Sequence, residues 1–151
     1  MQIRLDDLRG PEVLALLEEH LAHMRASSPP GSVHALDLDA LRQPHIRFWG
    51  AWRGNELLGC GALMALGAGE GEIKSMRTAA RHQRQGVART LLTHLVDQAR
   101  ASGWHTLWLE TGSNEPFAPA RKLYASFGFE VCEPFAGYTE DPHSTFMRRR
   151  L

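Results

Sequence analysis

Gln83-Arg84-Gln85-Gly86-Val87-Ala88-Arg89-Thr90-Leu91-Leu92 is the stretch where the chain changes character. Residues 72–78 before it read as a strand. After it, Val87, Ala88, Leu91, Leu92, Leu95, Val96 and Ala99 fall on one face of a helix. The spacing predicts a helix over residues 86–102, about 25 Å long at 1.5 Å per residue, with Gly103 just beyond its C-terminus. The junction, residues 81–89, is polar and basic, with small residues where the helix begins. A helix N-terminus presents unsatisfied N–H groups and the positive end of the macrodipole. Gly86 and Ala88 let an anion approach the backbone, and Arg84 and Arg89 add charge. Strand, basic turn and helix together read as a diphosphate cradle. On charge and glycine alone, a solvated helix start reads equally well.

Working outward, residues 46–52 are aromatic and β-branched, Arg53-Gly54-Asn55-Glu56 is a turn signal, and residues 57–66 are an apolar run. Gly67-Ala68-Gly69-Glu70-Gly71 reads as a flexible turn. Residues 46–78 therefore predict a three-stranded antiparallel meander. Upstream, residues 3–7 suggest a short first strand. Pro11 suits the first turn of a helix, and Val13, Leu14, Leu17, Leu21 and Met24 follow at helical spacing. Ser27-Ser28-Pro29-Pro30-Gly31-Ser32 reads as a loop, and a short helix is expected over residues 37–42, stopped by Pro44. Downstream, residues 104–111 read as a strand, 119–127 as a helix closed by Gly128, and 129–132 and 145–149 as two last strands. The sum is an α+β fold: a mostly antiparallel sheet with a strand–helix–strand crossover near its middle.

The whole chain of 151 residues suits a single domain. It is long enough to bury a core without disulfide or metal staples. Lys+Arg and Asp+Glu both number 17. That balance lacks the basic footprint of a general nucleic-acid binder or of a polybasic membrane anchor. No apolar run approaches the roughly 20 residues that span a bilayer. With no signal-peptide pattern at Met1-Gln2-Ile3-Arg4, the expected location is the cytoplasm. Cys60 and Cys132 lie in separate apolar stretches and read as reduced, passive thiols.

Gln83-x-x-Gly86-x-Ala88 resembles the Arg/Gln-x-x-Gly-x-Gly/Ala signature of the GNAT superfamily of N-acetyltransferases. Ala120-x-x-Leu123-Tyr124-x-x-Phe127-Gly128-Phe129 is similar to the family's second motif, one strand further on. The element order agrees along almost the whole chain. The resemblance implies an α/β/α layered fold with a splayed sheet of six to seven strands and about four helices. It implies acetyl-CoA as acyl donor and no metal. Gln83, Arg84, Gln85, Gly86, Val87, Ala88 and Arg89 would hold the coenzyme A diphosphate. Met76, Arg77 and Thr78 would line its pantetheine arm, with a backbone N–H near Met76 polarising the thioester carbonyl. Tyr124 matches the tyrosine that protonates the leaving thiolate. Where many members carry an Asn that touches the cofactor, this chain has Phe117, and Asn114 is the nearest substitute. Leu109-Glu110-Thr111-Gly112 and Phe117-Ala118-Pro119-Ala120-Arg121 resemble one subset of the superfamily.

The implied reaction moves an acetyl group directly to a primary amine within a ternary complex, so no cysteine nucleophile is needed. An alkylamine with a pKa near 10.4 is almost wholly protonated at pH 7, so the site must help remove a proton. Glu72 and Glu110, on strands expected to be neighbours, are the candidate bases; each also reads as a surface carboxylate or as a binder of a cationic group. The expected partner is a small or amino-acid-like amine, with no nucleic acid and no membrane; homodimers are common in the superfamily. A protein lysine or α-amine acceptor, or a non-catalytic acyl-CoA-binding role, are the alternatives. His20 and His23 read as a solvated helix face. His34, Trp49, Tyr138, Asp141 and His143 lie where the superfamily builds its acceptor pocket. Trp104 and Trp108 read as core or interface residues on one strand. Arg148-Arg149-Arg150 reads as a solvated edge.

Overall fold

Apolar residues at every position of 57–63 make one strand buried on both faces, and the rest of the molecule is layered around it. The computed structural model describes residues 1–27 and 38–151. In chain order the elements are β1 (Gln2–Leu5), α1 (Pro11–Ser27), α2 (Leu38–Leu41), β2 (Ile46–Arg53), β3 (Glu56–Gly67) and β4 (Glu70–Thr78). There follow α3 (Val87–Ala101), β5 (Thr106–Gly112), α4 (Ala118–Ser126), β6 (Glu130–Cys132) and β7 (Ser144–Arg150). The sheet has seven strands in the order β1-β2-β3-β4-β5-β7-β6. Every pairing is antiparallel except β4 with β5, which α3 connects as a crossover. The expected α+β, mostly antiparallel, layered fold is what the chain adopts.

One layer packs α1 and α2 on the sheet through Val13, Leu16, Leu17 and Leu41 against Phe48, Leu57, Cys60 and Ala62. The other packs α3 and α4 through Leu92, Leu95, Val96, Ala99 and Tyr124 against Leu63, Ile73, Leu107 and Leu109. Leu91, Leu92 and Leu95 are fully shielded from water, each worth about 1.5–3 kcal/mol of transfer free energy. The close seat of α3 depends on Gly59: a Cβ there would stand 2.7 Å from the Arg77 carbonyl and 2.9 Å from Val87 Cγ1.

Several boundaries differ from expectation. The Gly-rich turn is shorter than its composition suggests, because Glu70 and Gly71 pair with Gly67 and Ala65 and begin β4. The long helix starts at Val87 with Gly86 as its cap, and Gly103 follows it with a positive φ of 79°. Trp104 precedes β5 rather than sharing a strand with Trp108. The buried stripe of α1 runs Val13, Leu16 and Leu17, whereas Leu14 is only half-buried. β7 is flanked by β5 and β6, so the arginine run is no sheet edge; Arg148 lies over the Trp108 ring and bonds Glu133. Residues 28–32 of the expected loop, His34 and Asp37 lie outside the described residues.

Candidate active site

Strands β4 and β5 pair over Glu70↔Thr106 to Ile73↔Leu109 and then part. Beyond that rung β4 follows β3 to Thr78, and β5 follows β7 to Gly112. The cause lies in β4. Cys60 pairs with Arg77 but Ala62 with Lys74, so β4 carries an extra residue there. Ser75 takes a left-handed φ of 56°, and Cys60 Sγ reaches its carbonyl at 3.3 Å. A non-glycine residue in that region costs about 1–2 kcal/mol, which the surrounding ladder holds in place. The bulge turns β4 off the line of β5 and opens the sheet.

A cavity of about 320 Å³ fills this opening. Lys74, Ser75 and Met76 line one wall and Glu110, Thr111 and Gly112 the other. Glu72, Tyr124, Tyr138 and His143 also face it. Parallel pairing brings the two expected carboxylates to one space, and the packing of α4 on the sheet adds the expected tyrosine. Glu72 is not a surface carboxylate: it is 2% exposed. Its Oε2 accepts a hydrogen bond from the Tyr138 hydroxyl at 2.6 Å and lies 3.5 Å from Lys74 Nζ. Its Oε1 is buried with no hydrogen-bond partner among the described residues. Burial pushes the Glu72 carboxyl up, and Glu110 pushes it further, against the pull of Lys74 and Tyr138. Burial, then the charge of Glu110, holds the Tyr124 phenol well above its ordinary value, so it stays protonated.

The cradle segment lies just beyond the far end of β4. A 3-10 turn, Ala80–His82, leads into extended Gln83. Arg84 and Gly86 take positive φ of 64° and 81°. Gly86 is the N-cap of α3, and no side chain caps it. Left-handed residues interleaved with others turn successive N–H groups to one side, as anion-binding nests do. A Cβ at Gly86 would meet nothing within 4 Å, so the space over the helix end is open. Gln83, Arg84, Gln85 and Arg89 are exposed around it, while the Val87 side chain sinks into the core and leaves only its backbone. Arg89 lies over the Phe127 ring at 5.5 Å. This shape and charge fit a diphosphate, and the parted strands fit a narrow extended arm.

Other expected residues stand differently. The Arg77 side chain is a clasp: its Nη2 meets Glu19 Oε1 at 2.7 Å, tying β4 to α1 and turning away from the proposed cofactor path, and Arg77 is not among the residues lining the cavity. Thr78 ends β4 against Gly59. The Asn114 amide bonds the Ser27 carbonyl, and its own carbonyl, with that of Gly112, is held by Arg121. Phe117 closes the cavity below Gly112. Trp49 belongs to the core against His94. Asp141 shapes its loop by accepting from the His143 N–H. His20 is not solvated: it lines the cavity, its Nδ1 is buried without a partner among the described residues, and burial, then Arg77, pushes its pKa down to about 4. His23 packs edge-on to Phe117. Sequence reasoning passed over Lys74, although it lies two residues from Glu72 on the same strand face. Cys60 is buried and pushed up to about 12 by that burial, as suits a passive thiol. Among the described residues, no group of three or more His, Cys, Asp or Glu could hold a metal ion, and no helix is long and apolar enough to cross a membrane.

Known proteins resemble the chain in sequence and in fold. Residues 13–129 match the model of the Acetyltransferase (GNAT) family. The chain is 56% identical over 151 residues to the N-acetyltransferase YsnE of Bacillus subtilis (strain 168), covering all of both chains. It is 38% identical over 140 residues to the IAA acetyltransferase of Azospirillum brasilense, covering 92% of this chain and 90% of that one. Among solved structures, an acyl-CoA N-acyltransferase from Klebsiella pneumoniae superposes with a TM-score of 0.79 at 28% identity, over 99% of this chain and 97% of that one. A GNAT acetyltransferase from Elizabethkingia anophelis with acetyl-CoA bound shares the fold, with a TM-score of 0.69 at 18% identity, over 99% and 97% of the two chains.

Proposed function

The chain belongs to the GNAT acetyltransferase family and is an N-acetyltransferase, and from that premise we propose that it moves the acetyl group of acetyl-CoA directly to the primary amine of a small acceptor. The observation that carries this reading is the parting of β4 from β5 beside the uncapped N-terminus of α3. When bound, acetyl-CoA supplies an activated acetyl group, and the C–S bond breaks as the C–N bond forms. The N–H groups of residues 83–89 hold the diphosphate, with Arg84 and Arg89 adding charge. Met76, Arg77 and Thr78 offer their backbone to the pantetheine arm. The Met76 N–H, just past the bulge, stabilises negative charge on the carbonyl oxygen. Tyr124, kept protonated by burial, gives its proton to the leaving sulfur. Glu72 or Glu110 takes the proton of the amine.

A cavity of about 320 Å³ favours a small acceptor over a protein segment. The test is thiol release from acetyl-CoA against a panel of amines, amino acids, polyamines and peptides, with products identified by mass spectrometry. An N-acetylated small amine is the expected product. Acetylation of peptides alone would replace the small acceptor with a protein one, and thiol release without any acetylated amine would reject transfer.

A further inference from the structure

We propose that Lys74 and Tyr138 position Glu72 as the proton acceptor of the reaction, holding one carboxylate oxygen and leaving Oε1 to take the proton of the amine. The proposal rests on the acetyl-transfer reading above and chooses Glu72 over Glu110. An ionised carboxylate has two oxygens to satisfy. Here both protein contacts fall on Oε2: the Tyr138 hydroxyl at 2.6 Å and Lys74 Nζ at 3.5 Å. Oε1 is buried without a partner among the described residues. Buried polar atoms are nearly always paired, so an unpaired oxygen on a residue that lines the cavity calls for a partner, and the ammonium of an acceptor is one the reaction supplies.

The three groups form a directed chain. Lys74 Nζ has only hydrogens to give, and it points one at the Tyr138 oxygen at 3.4 Å. Burial and the Glu72 charge push the Tyr138 phenol upward, so it keeps its proton and donates it to Glu72. Tyr138 is fixed by the rings of Phe135 at 5.0 Å and Phe146 at 5.6 Å, and Phe135 stacks on Trp108 at 5.2 Å. Trp108 is the register partner of Glu72 on β5. The loop between β6 and β7 is thus locked to the carboxylate it serves. Lys74 and Tyr138 both favour the ionised form against burial and against Glu110. The remaining titratable groups in the cavity wall are His20 from α1, His45 ahead of β2, His143 ahead of β7 and Tyr124 from α4.

In the reaction, the ammonium gives one proton to Glu72 Oε1, which passes it to solvent after transfer; the second proton lost from nitrogen as the amide forms replaces the one that Tyr124 gives to the leaving sulfur, so one proton is released in each turnover. Removing either positioning group should make Glu72 harder to ionise. The experiment compares wild type, Y138F, K74M, K74R and E72Q. Glutamate carboxyls are titrated by ¹³C NMR, with E72Q assigning the signal. The pH profile of kcat/KM is taken with acetyl-CoA and the most active amine of the panel. Y138F and K74M should each move the Glu72 titration and the acidic limb of the profile upward by about one pH unit. Their rates should recover at high pH with the KM for acetyl-CoA unchanged, and K74R should stay near wild type. An unmoved titration and limb in the folded Y138F and K74M proteins overturns the positioning roles. Wild-type activity in E72Q overturns Glu72 as the base, and no acetylated amine in the whole panel overturns the transfer reading beneath it.

Discussion

Gly86 stands at the N-cap of α3 with φ of 81° and ψ of 10°, and a Cβ there would touch nothing within 4 Å. Two substitutions at this residue separate backbone strain from anion binding. Gly86→Ala adds a methyl group to a left-handed residue without a clash, so its cost is the conformational one, about 1–2 kcal/mol. For a chain of this length that is a fall in Tm of roughly 2–8 °C. Gly86→Glu pays the same strain and also sets a negative charge beside the proposed diphosphate site. Its carboxylate competes for the N–H groups at the helix end, which favour any anion. Repulsion in a partly solvated site is worth about 1–3 kcal/mol, or roughly 5- to 150-fold in Kd. Calorimetric titration with coenzyme A should therefore find Gly86→Ala close to wild type and Gly86→Glu far weaker, with the gap narrowing as salt is raised. Equal affinity in the two variants would show that residues 83–89 do not hold the diphosphate.

Tyr124→Phe keeps the edge-on packing against Phe129 and should lower kcat by about 100-fold or more with little change in KM; a wild-type kcat and pH profile would remove Tyr124 from the chemistry. Gly59→Ala forces its Cβ to 2.7 Å from the Arg77 carbonyl and should cost about 1–3 kcal/mol while weakening coenzyme A binding, since the start of α3 must move; an unchanged urea midpoint would contradict the close seat. Acid should destabilise the fold through His20, whose folded pKa lies near 4, below its ordinary 6.5. The unfolded chain binds this proton first, so stability falls from about pH 6.5 to pH 4, by roughly 3 kcal/mol in all. Denaturant melts of His20→Leu that keep the wild-type slope across this window would refute the assignment.

Local signals exposed much of the fold. Leu91-Leu92 with Leu95, Val96 and Ala99 gave α3 a single possible buried face. In α1, leucines at 14, 16, 17 and 21 admit more than one stripe. Burial of Val13, Leu16 and Leu17 selects the stripe that carries His20 into the cavity, and only the packing of α1 on β3 and β4 decides this. The glycine run at 67–71 read as a turn because glycine signals flexibility, yet Gly71 is held straight by pairing with Ala65. At the site, Glu72, Glu110 and Tyr124 were legible from motif and strand order. The Tyr138 contact spans 66 residues of sequence, and no local pattern encodes such a meeting. The Arg77 clasp was hidden for the same reason, since Glu19 lies 58 residues away.

The divergence of β4 and β5 leaves two raw sheet margins facing each other inside one molecule. Open margins usually invite foreign strands and aggregation. Here helix layers pack on both faces of the sheet, which shields the two margins from a strand of another molecule while leaving the gap between them as a cavity.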